Sequence, residues 1–287
     1  MASIRQIKHR IRSAQNIAKI TRAMQMVAAS KMKKAQDKAV MGKPYVLKLG
    51  EATRELAERT NRNRHPLLAL GNPDGKVLGI LISTTKGLCG GLNTNLFRVN
   101  ETWHRANATA EYVTIGKKGQ SYILRTHKTL VADYSEHTVI TDTVAPLTKF
   151  IVDGFQNGTY KSVYLMYNSF INALKYEPLI NPVLPISSLP TEGPTEKKEE
   201  QFTDFLIEPN IDDLLDFLLP HYLENQIRAA LLEAEASEQS ARMVAMKNAT
   251  EAAEDLTNEL TLIYNKVRQE KITYEIADIV TARLAVE

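Results

Sequence analysis

The sequence predicts an α/β protein in which long N- and C-terminal helices pair as an antiparallel coiled coil beside a mainly parallel α/β domain. Three observations carry this. From His221 to Glu287 there are 67 residues without a glycine or proline. Met1 to Met41 also lacks both. Between these tracts, short apolar runs alternate with helical patterns, as in α/β sheets.

The N-terminal tract carries Ile4, Ile7, Ile11, Ala14, Ile17, Ile20, Met24, Val27, Ala28 and Ala35, mostly at the three-four steps of a helix face. The helix is expected to pass a bend at Gly42-Lys43-Pro44 and end near Arg59, giving an N-terminal coiled-coil element over 1–59. Between Met1 and Lys43 there are eleven Lys/Arg and one acid, Asp37. Three readings of that charge stand side by side. It can be a solvated face complementing an acidic helix, a cationic track for nucleic acid, or a surface for acidic loops of a protein partner. Against nucleic acid, no Phe, Tyr or Trp lies between Met1 and Lys43, and the isoleucine-methionine stripe needs a packed partner.

Residues 61–74, with Arg, Asn, His, Pro and Gly, read as a loop leaving the coiled coil. A Rossmann-like α/β domain is then expected over 75–208. Val77–Ile82 reads as a strand buried on both faces, Leu92–Asn107 as a helix, Tyr112–Gly116 as a second strand, and Ser121 onward as a short helix. Thr143–Gln156 is expected to be helical with Pro146 in its first turn, and Ser162–Tyr167 to be a third strand. Leu179–Ile186 and Phe202–Ile207 are expected to be extended, with a mobile loop over Ser187–Glu200 between them.

The last element, 210–287, is expected to start at Asn210 as N-cap, with Asp212 and Asp213 in its first turn. Pro220 is expected to bend it without ending it. Its seam reads Leu223, Ile227, Leu231, Ala234, Ala241, Ala245, Ala249, Ala252, Leu256, Leu260, Ile263 and Val267, the face that pairs with the first helix. From His221 onward twelve acids face seven Lys/Arg, opposite in balance to the N-terminal tract. As one helix the 67 residues would run roughly 100 Å at the usual rise, whereas a compact domain of this length spans only about 40 Å. The helix therefore needs a cover outside its own chain.

Several function classes find no support. The hydrophobic share of 44% is ordinary, and the longest clearly apolar run, Val77–Ile82, is far short of a membrane span. The N-terminus is charged from Arg5 onward with no apolar stretch, unlike a secretory signal. Cys89 is the single cysteine, which excludes an intrachain disulfide and fits a reducing compartment. The turn Ser83–Asn93 follows a strand and opens a helix, as a phosphate loop would. Yet Gly91 is followed by Leu92 and Asn93 rather than Lys and Ser/Thr, and no acid closes the second strand at Ile115-Gly116-Lys117, so neither nucleotide pattern is met. A tight strand-to-helix turn, with Cys89 packed beneath it, fits better. His9, His65, His104, His127, His137 and His221 show no metal-ligand spacing, and no acid-base pair stands out. No catalytic, cofactor or metal site is expected.

Four stretches resemble one family. Ile17–Met32 (IAKITRAMQMVAASKM), Lys86–Asn93 (KGLCGGLN), Ser237–Ala249 (SEQSARMVAMKNA) and Ile272–Val280 (ITYEIADIV) are similar, in order and spacing, to the blocks of the gamma subunit of F-type ATP synthase. The resemblance covers nearly the whole chain. It implies a non-catalytic rotor shaft, one copy per complex, inside a hexamer of alternating alpha and beta subunits, with the epsilon subunit and the membrane c-ring below. It implies ion-driven rotation that changes the beta sites in sequence, no nucleic-acid partner, and a peripheral place on the cytoplasmic face of the cell membrane within the F1 sector. By matching residues, Lys19, Arg22, Met24 and Lys86 are implied to meet an acidic loop of beta. Arg268 and Gln269 are implied to hold a second beta loop, and Phe205 and Glu208 to border the c-ring. Thr85, where the family has an acid, and Arg283, in a tip that is apolar in the family, depart from the pattern. The cysteine-bearing insertion of chloroplast members is absent.

Overall fold

The computed structural model describes residues 4–59, 64–136, 140–186 and 210–284. In chain order they form α1 (Ile4–Arg59), β1 (Lys76–Ile82), α2 (Leu92–Ala106), β2 (Glu111–Ile115), α3 (Lys117–Arg125) and β3 (Thr129–Asp133). After a 3₁₀ turn at Ile140–Thr143 come α4 (Val144–Gln156), β4 (Tyr160–Asn172), β5 (Lys175–Leu184) and α5 (Ile211–Leu284). The chain divides into two compact units, one of Met1–Ser30 with Arg242–Glu287 and one of Lys31–Ala241.

The larger unit is built on a five-stranded sheet of order β3-β2-β1-β4-β5. The pairs β1–β2, β1–β4 and β2–β3 are parallel, and β4–β5 is antiparallel. In β1 the run Val77–Ile82 is buried throughout, as a central strand covered on both faces must be. Leu78, Ile80 and Ile82 face one layer with Val113, Ile115, Val163 and Leu165, covered by Leu147, Ile151 and Phe155 of α4. Val77 and Leu81 face the other layer with Tyr112 and Met166, under Leu96 of α2 and Ile123 of α3.

Part of α5 belongs to that first layer: Leu215, Leu219, Leu223, Ile227 and Leu231 share a core with the sheet and with Leu49 of α1. Ser237 Oγ donates to the carbonyl of Asn168 at 2.9 Å, and Ser240 Oγ to that of Ala173 at 2.7 Å, fastening the β4–β5 hairpin to α5. Within this unit α1 and α5 run antiparallel. Tyr45 Oη lies 2.8 Å from His221 Nε2, while Arg64, after the end of α1, reaches Asp212 near the start of α5.

The start of α5 and the passage of both long helices through their prolines follow the sequence reading. The Asp213 amide donates to Asn210 Oδ1 at 2.8 Å, capping α5, and both Pro44 and Pro220 lie inside continuous helices. Three strands differ from the sequence reading. β3 escaped it, because Thr129–Asp133 is a short, half-exposed edge strand with little apolar signal. β4 runs on to Asn172 because its second half pairs with β5. β5 begins at Lys175, and its Pro178 and Pro182 are tolerated on an edge strand. The extended segment expected at 202–207 and the loop expected at 187–200 lie outside the described residues.

The smaller unit pairs the start of α1 with the later part of α5. Buried residues of α1 there are Ile7, Ala14, Thr21 and Ala28, one every seven residues, which is the coiled-coil repeat. On α5 the seam is Met246, Thr250 and Ala253, all buried, followed by half-buried Thr257, Leu260, Tyr264 and Val267. This corrects the expected seam. Ala252, Leu256 and Ile263 are exposed and Ala249 is half-buried, because two threonines take seam positions one residue further on. Each satisfies its hydroxyl within the helix: Thr250 Oγ1 donates to the Met246 carbonyl and Thr257 Oγ1 to that of Ala253, both at 2.8 Å. A hydroxyl bonded in this way can be buried at little cost.

Candidate partner-binding surfaces

In the smaller unit, the narrow seam leaves most of α1 uncovered. Ile17, Ile20, Met24, Met26 and Val27 are all exposed, although Ile17, Ile20, Met24 and Val27 were expected in the seam. Small residues let two helices meet along one stripe, and the stripe's flanks then face outward. Thr21 and Thr250 meet across the seam with their hydroxyl oxygens 2.6 Å apart. One helical step on, Arg22 Nη2 bonds Glu254 Oε1 at 2.9 Å. Beside this pair is a groove of about 430 Å³ lined by Gln15, Ala18, Lys19 and Arg22 on α1 and Glu254, Thr257 and Asn258 on α5. Lys19 and Arg22 thus line the groove together, whereas Met24, also exposed, lies on another face of α1, two residues on from Arg22. Arg22 is half committed to Glu254, which the sequence did not signal.

Equal steps from the Thr21–Thr250 contact, back along α1 and forward along α5, put Ile4 level with Val267. Every side chain described from Arg268 to Arg283 is exposed. That stretch, through Leu284, is about 25 Å of helix at the usual rise. It includes Ile272, Tyr274, Ile276, Ile279 and Val280, all about half exposed or more. Arg268 and Gln269 are its first two residues. Their side chains have no hydrogen-bond or ion-pair partner among the described residues, so Arg268 does not pair with Glu270 or with an acid on α1.

In the larger unit, Lys86 lies on the turn between β1 and α2 with its side chain exposed. The turn consumes its own polar groups. Asn93 Oδ1 accepts from the Thr84 amide, Asn93 Nδ2 donates to Thr84 Oγ1 at 2.8 Å, and Thr84 Oγ1 donates to the Lys86 carbonyl at 2.7 Å. Ser83 Oγ accepts from the Gly119 amide at 2.7 Å, occupying the start of α3. Leu88 and Gly90 hold positive φ of 64° and 57°, which makes the turn tight. Cys89 is buried beneath it against Leu92, Ala241 and Tyr176. Phe205 and Glu208 lie outside the described residues.

Two clustered contacts at the entry to the α/β domain were not anticipated: Arg64 with Asp212, and His65 with Asp216. Their sequence signal is the adjacency of Arg64 and His65 set against acids four apart on one helix face. Among the described residues no group of His, Cys, Asp or Glu could hold a metal ion, and no helix is long and apolar enough to cross a membrane.

Comparison with known proteins agrees with this architecture. A family model described as ATP synthase matches residues 3–286. The ATP synthase gamma chain of Coxiella burnetii (strain CbuG_Q212) is 39% identical with both chains covered in full. That of Legionella pneumophila (strain Corby) is 38% identical over 98% of each. Among solved structures, a chain of the Euglena gracilis mitochondrial ATP synthase (OSCP/F1/c-ring, rotational state 3) superposes with a TM-score of 0.67 at 20% identity, covering 99% of this chain and 94% of that one. A chain of the Tetrahymena thermophila mitochondrial ATP synthase central stalk and c-ring gives 0.58 at 24% identity, covering 80% and 99%. With full-length relatives at this identity, and a fold of long terminal helices and a mostly parallel five-stranded sheet, this chain belongs to the ATP synthase gamma-chain family.

Proposed function

We infer that this chain is the central-stalk rotor subunit of an F-type ATP synthase, coupling ion flow through a membrane c-ring to ATP synthesis or hydrolysis on the beta subunits. The observation that carries this is the end of α5. Its apolar side chains are exposed on all sides beyond the level of Val267, which is stable in water only inside a sleeve supplied by other chains. An alternating alpha–beta hexamer is such a sleeve. Residues 1–59 and 210–287 then supply the coiled coil that the hexamer surrounds, and 75–208 the domain that meets the epsilon subunit and the c-ring, with Phe205 and Glu208 proposed as c-ring contacts. The chain acts by changing which beta subunit it touches.

Lys19 and Arg22 suit an acidic loop of beta, because two cations lie one turn apart on one open groove, and Met24 adds an exposed, flexible thioether from another face of α1. Lys86 serves an acidic loop of beta as well, and Arg268 and Gln269 grip a second beta loop. One copy per complex, peripheral in the F1 sector on the cytoplasmic face of the cell membrane, completes the reading. Affinity purification of the tagged chain from detergent-solubilised membranes tests it. Recovery with alpha, beta, epsilon and c subunits in an ATP-hydrolysing assembly is expected, while the isolated chain turns over no ATP. Recovery of the chain alone, or bound to nucleic acid, overturns it.

A further inference from the structure

We propose that His65 is a proton-sensitive clasp that locks residues 64–69 onto the first turns of α5 when neutral, and releases them when protonated. Both ring nitrogens of His65 are committed. Nδ1 accepts the Leu67 amide at 3.1 Å, and Nε2 lies 3.1 Å from Asp216 Oδ1. A nitrogen that accepts an N–H carries a lone pair, so the proton resides on Nε2 and is donated to the carboxylate. A second proton could go only on Nδ1, where it would face the Leu67 N–H. The charged ring is therefore disfavoured in the closed turn, and only its attraction to Asp216 opposes that.

That attraction is weak. Asp216 is 73% exposed while the His65 side chain is 6% exposed, so water screens the carboxylate and the ring bears the desolvation. The other charged groups nearby are Asp212, one turn nearer the start of α5, and Arg64, which bonds it through Nε and Nη2; they largely satisfy each other. Burial holds the His65 pKa below its ordinary value despite Asp216. The closed segment thus binds fewer protons than the open one. Closure is fully favoured above the ordinary histidine pKa and weakens as pH falls below it.

What the clasp holds is central to the fold. The carbonyl of His65 accepts the amides of Leu68 and Ala69, and that of Leu67 accepts the Ile186 amide at 3.0 Å beyond β5. Leu67 and Leu68 are fully buried in the main core. Opening would therefore loosen the 65–69 turn and the end of β5 together while the central strands stay paired.

Hydrogen exchange of the full chain between pH 7.5 and 5, corrected for intrinsic rates, tests this. The protection of the Leu67, Leu68 and Ile186 amides should fall by up to about tenfold per pH unit below about 6.5, the slope of one proton, while that of Ile80 and Leu165 stays constant. In His65→Asn the side-chain oxygen can still accept the Leu67 amide but cannot titrate, and the profile should be flat. In Asp216→Asn the fall should begin at the same pH and run deeper, because the one charge favouring the imidazolium is gone. A wild-type profile in His65→Asn, a shallower fall in Asp216→Asn, or a His65 pKa by NMR at or above the ordinary value would each overturn the proposal.

Discussion

Gly116 closes β2 with φ at +96°, and a Cβ there would lie 2.1 Å from the Ser83 carbonyl oxygen. The close approach lets Ser83 Oγ bond the Gly116 carbonyl and cap the Gly119 amide, joining the ends of β1 and β2 to the start of α3. Gly116→Ala combines left-handed strain with a backbone clash, each costing on the order of 1–3 kcal/mol. Urea unfolding should show a loss of at least about 2 kcal/mol, and an unchanged midpoint would mean the close approach of Gly116 to Ser83 yields freely. Polar residues elsewhere are equally specific. Lys128, with its side chain 3% exposed, is held by Glu101 and the Tyr122 hydroxyl, and its ammonium lies 4.7 Å from the Tyr122 ring centroid. That contact holds the Glu101 carboxyl below its usual pKa.

At the scale of elements, the seam of the smaller unit separates what periodicity reveals from what it hides. Reading only apolar residues finds both terminal helices, their polarity and their approximate length. It misplaces the seam after Ala241, because Thr250 and Thr257 bury methyls while bonding their hydroxyls to the preceding turn. The same limit hid β3, whose Thr129 and Val131 are exposed. It also hid the seating of α5 from Leu215 to Leu231 on the sheet, since a helix packed on strands shows the same spacing as one packed on a helix. The contact roles proposed for Lys19 and Lys86 were legible only through resemblance, because an exposed surface cation has no periodic signature. The corrected seam makes a sharp contrast between neighbours. Ala253 is buried and Ala252 exposed, so Ala253→Leu should lower the thermal midpoint at a cost of about 1–3 kcal/mol. Ala252→Leu should stay within about 0.5 kcal/mol. Equal effects by differential scanning calorimetry would return the seam to its expected register.

For the molecule within an assembly, what matters is what the chain leaves unmade. Coiled-coil partners balance each other as far as the level of Ile4 and Val267; from Arg268 on, α5 offers polar and apolar groups that no described residue of the chain covers. Arg268 is the first of these, and its planar fork of donors suits carboxylates or backbone carbonyls of a neighbouring chain. In a rotor such a contact exists in some angular positions and not in others, so it stabilises one beta conformation over the rest. Losing a charge-assisted hydrogen bond of this kind costs about 1.5–3 kcal/mol, or about 10- to 150-fold in a rate it limits. Arg268→Ala is therefore expected to lower synthesis and hydrolysis together in the assembled enzyme. Because the side chain has no partner among the described residues of its own chain, the melting temperature of the isolated chain should not move. A merely structural arginine would show the reverse, with unchanged turnover and a lower melting temperature. Measuring turnover, subunit stoichiometry and chain stability on one preparation separates the two, and normal turnover with full assembly would remove Arg268 from the torque path.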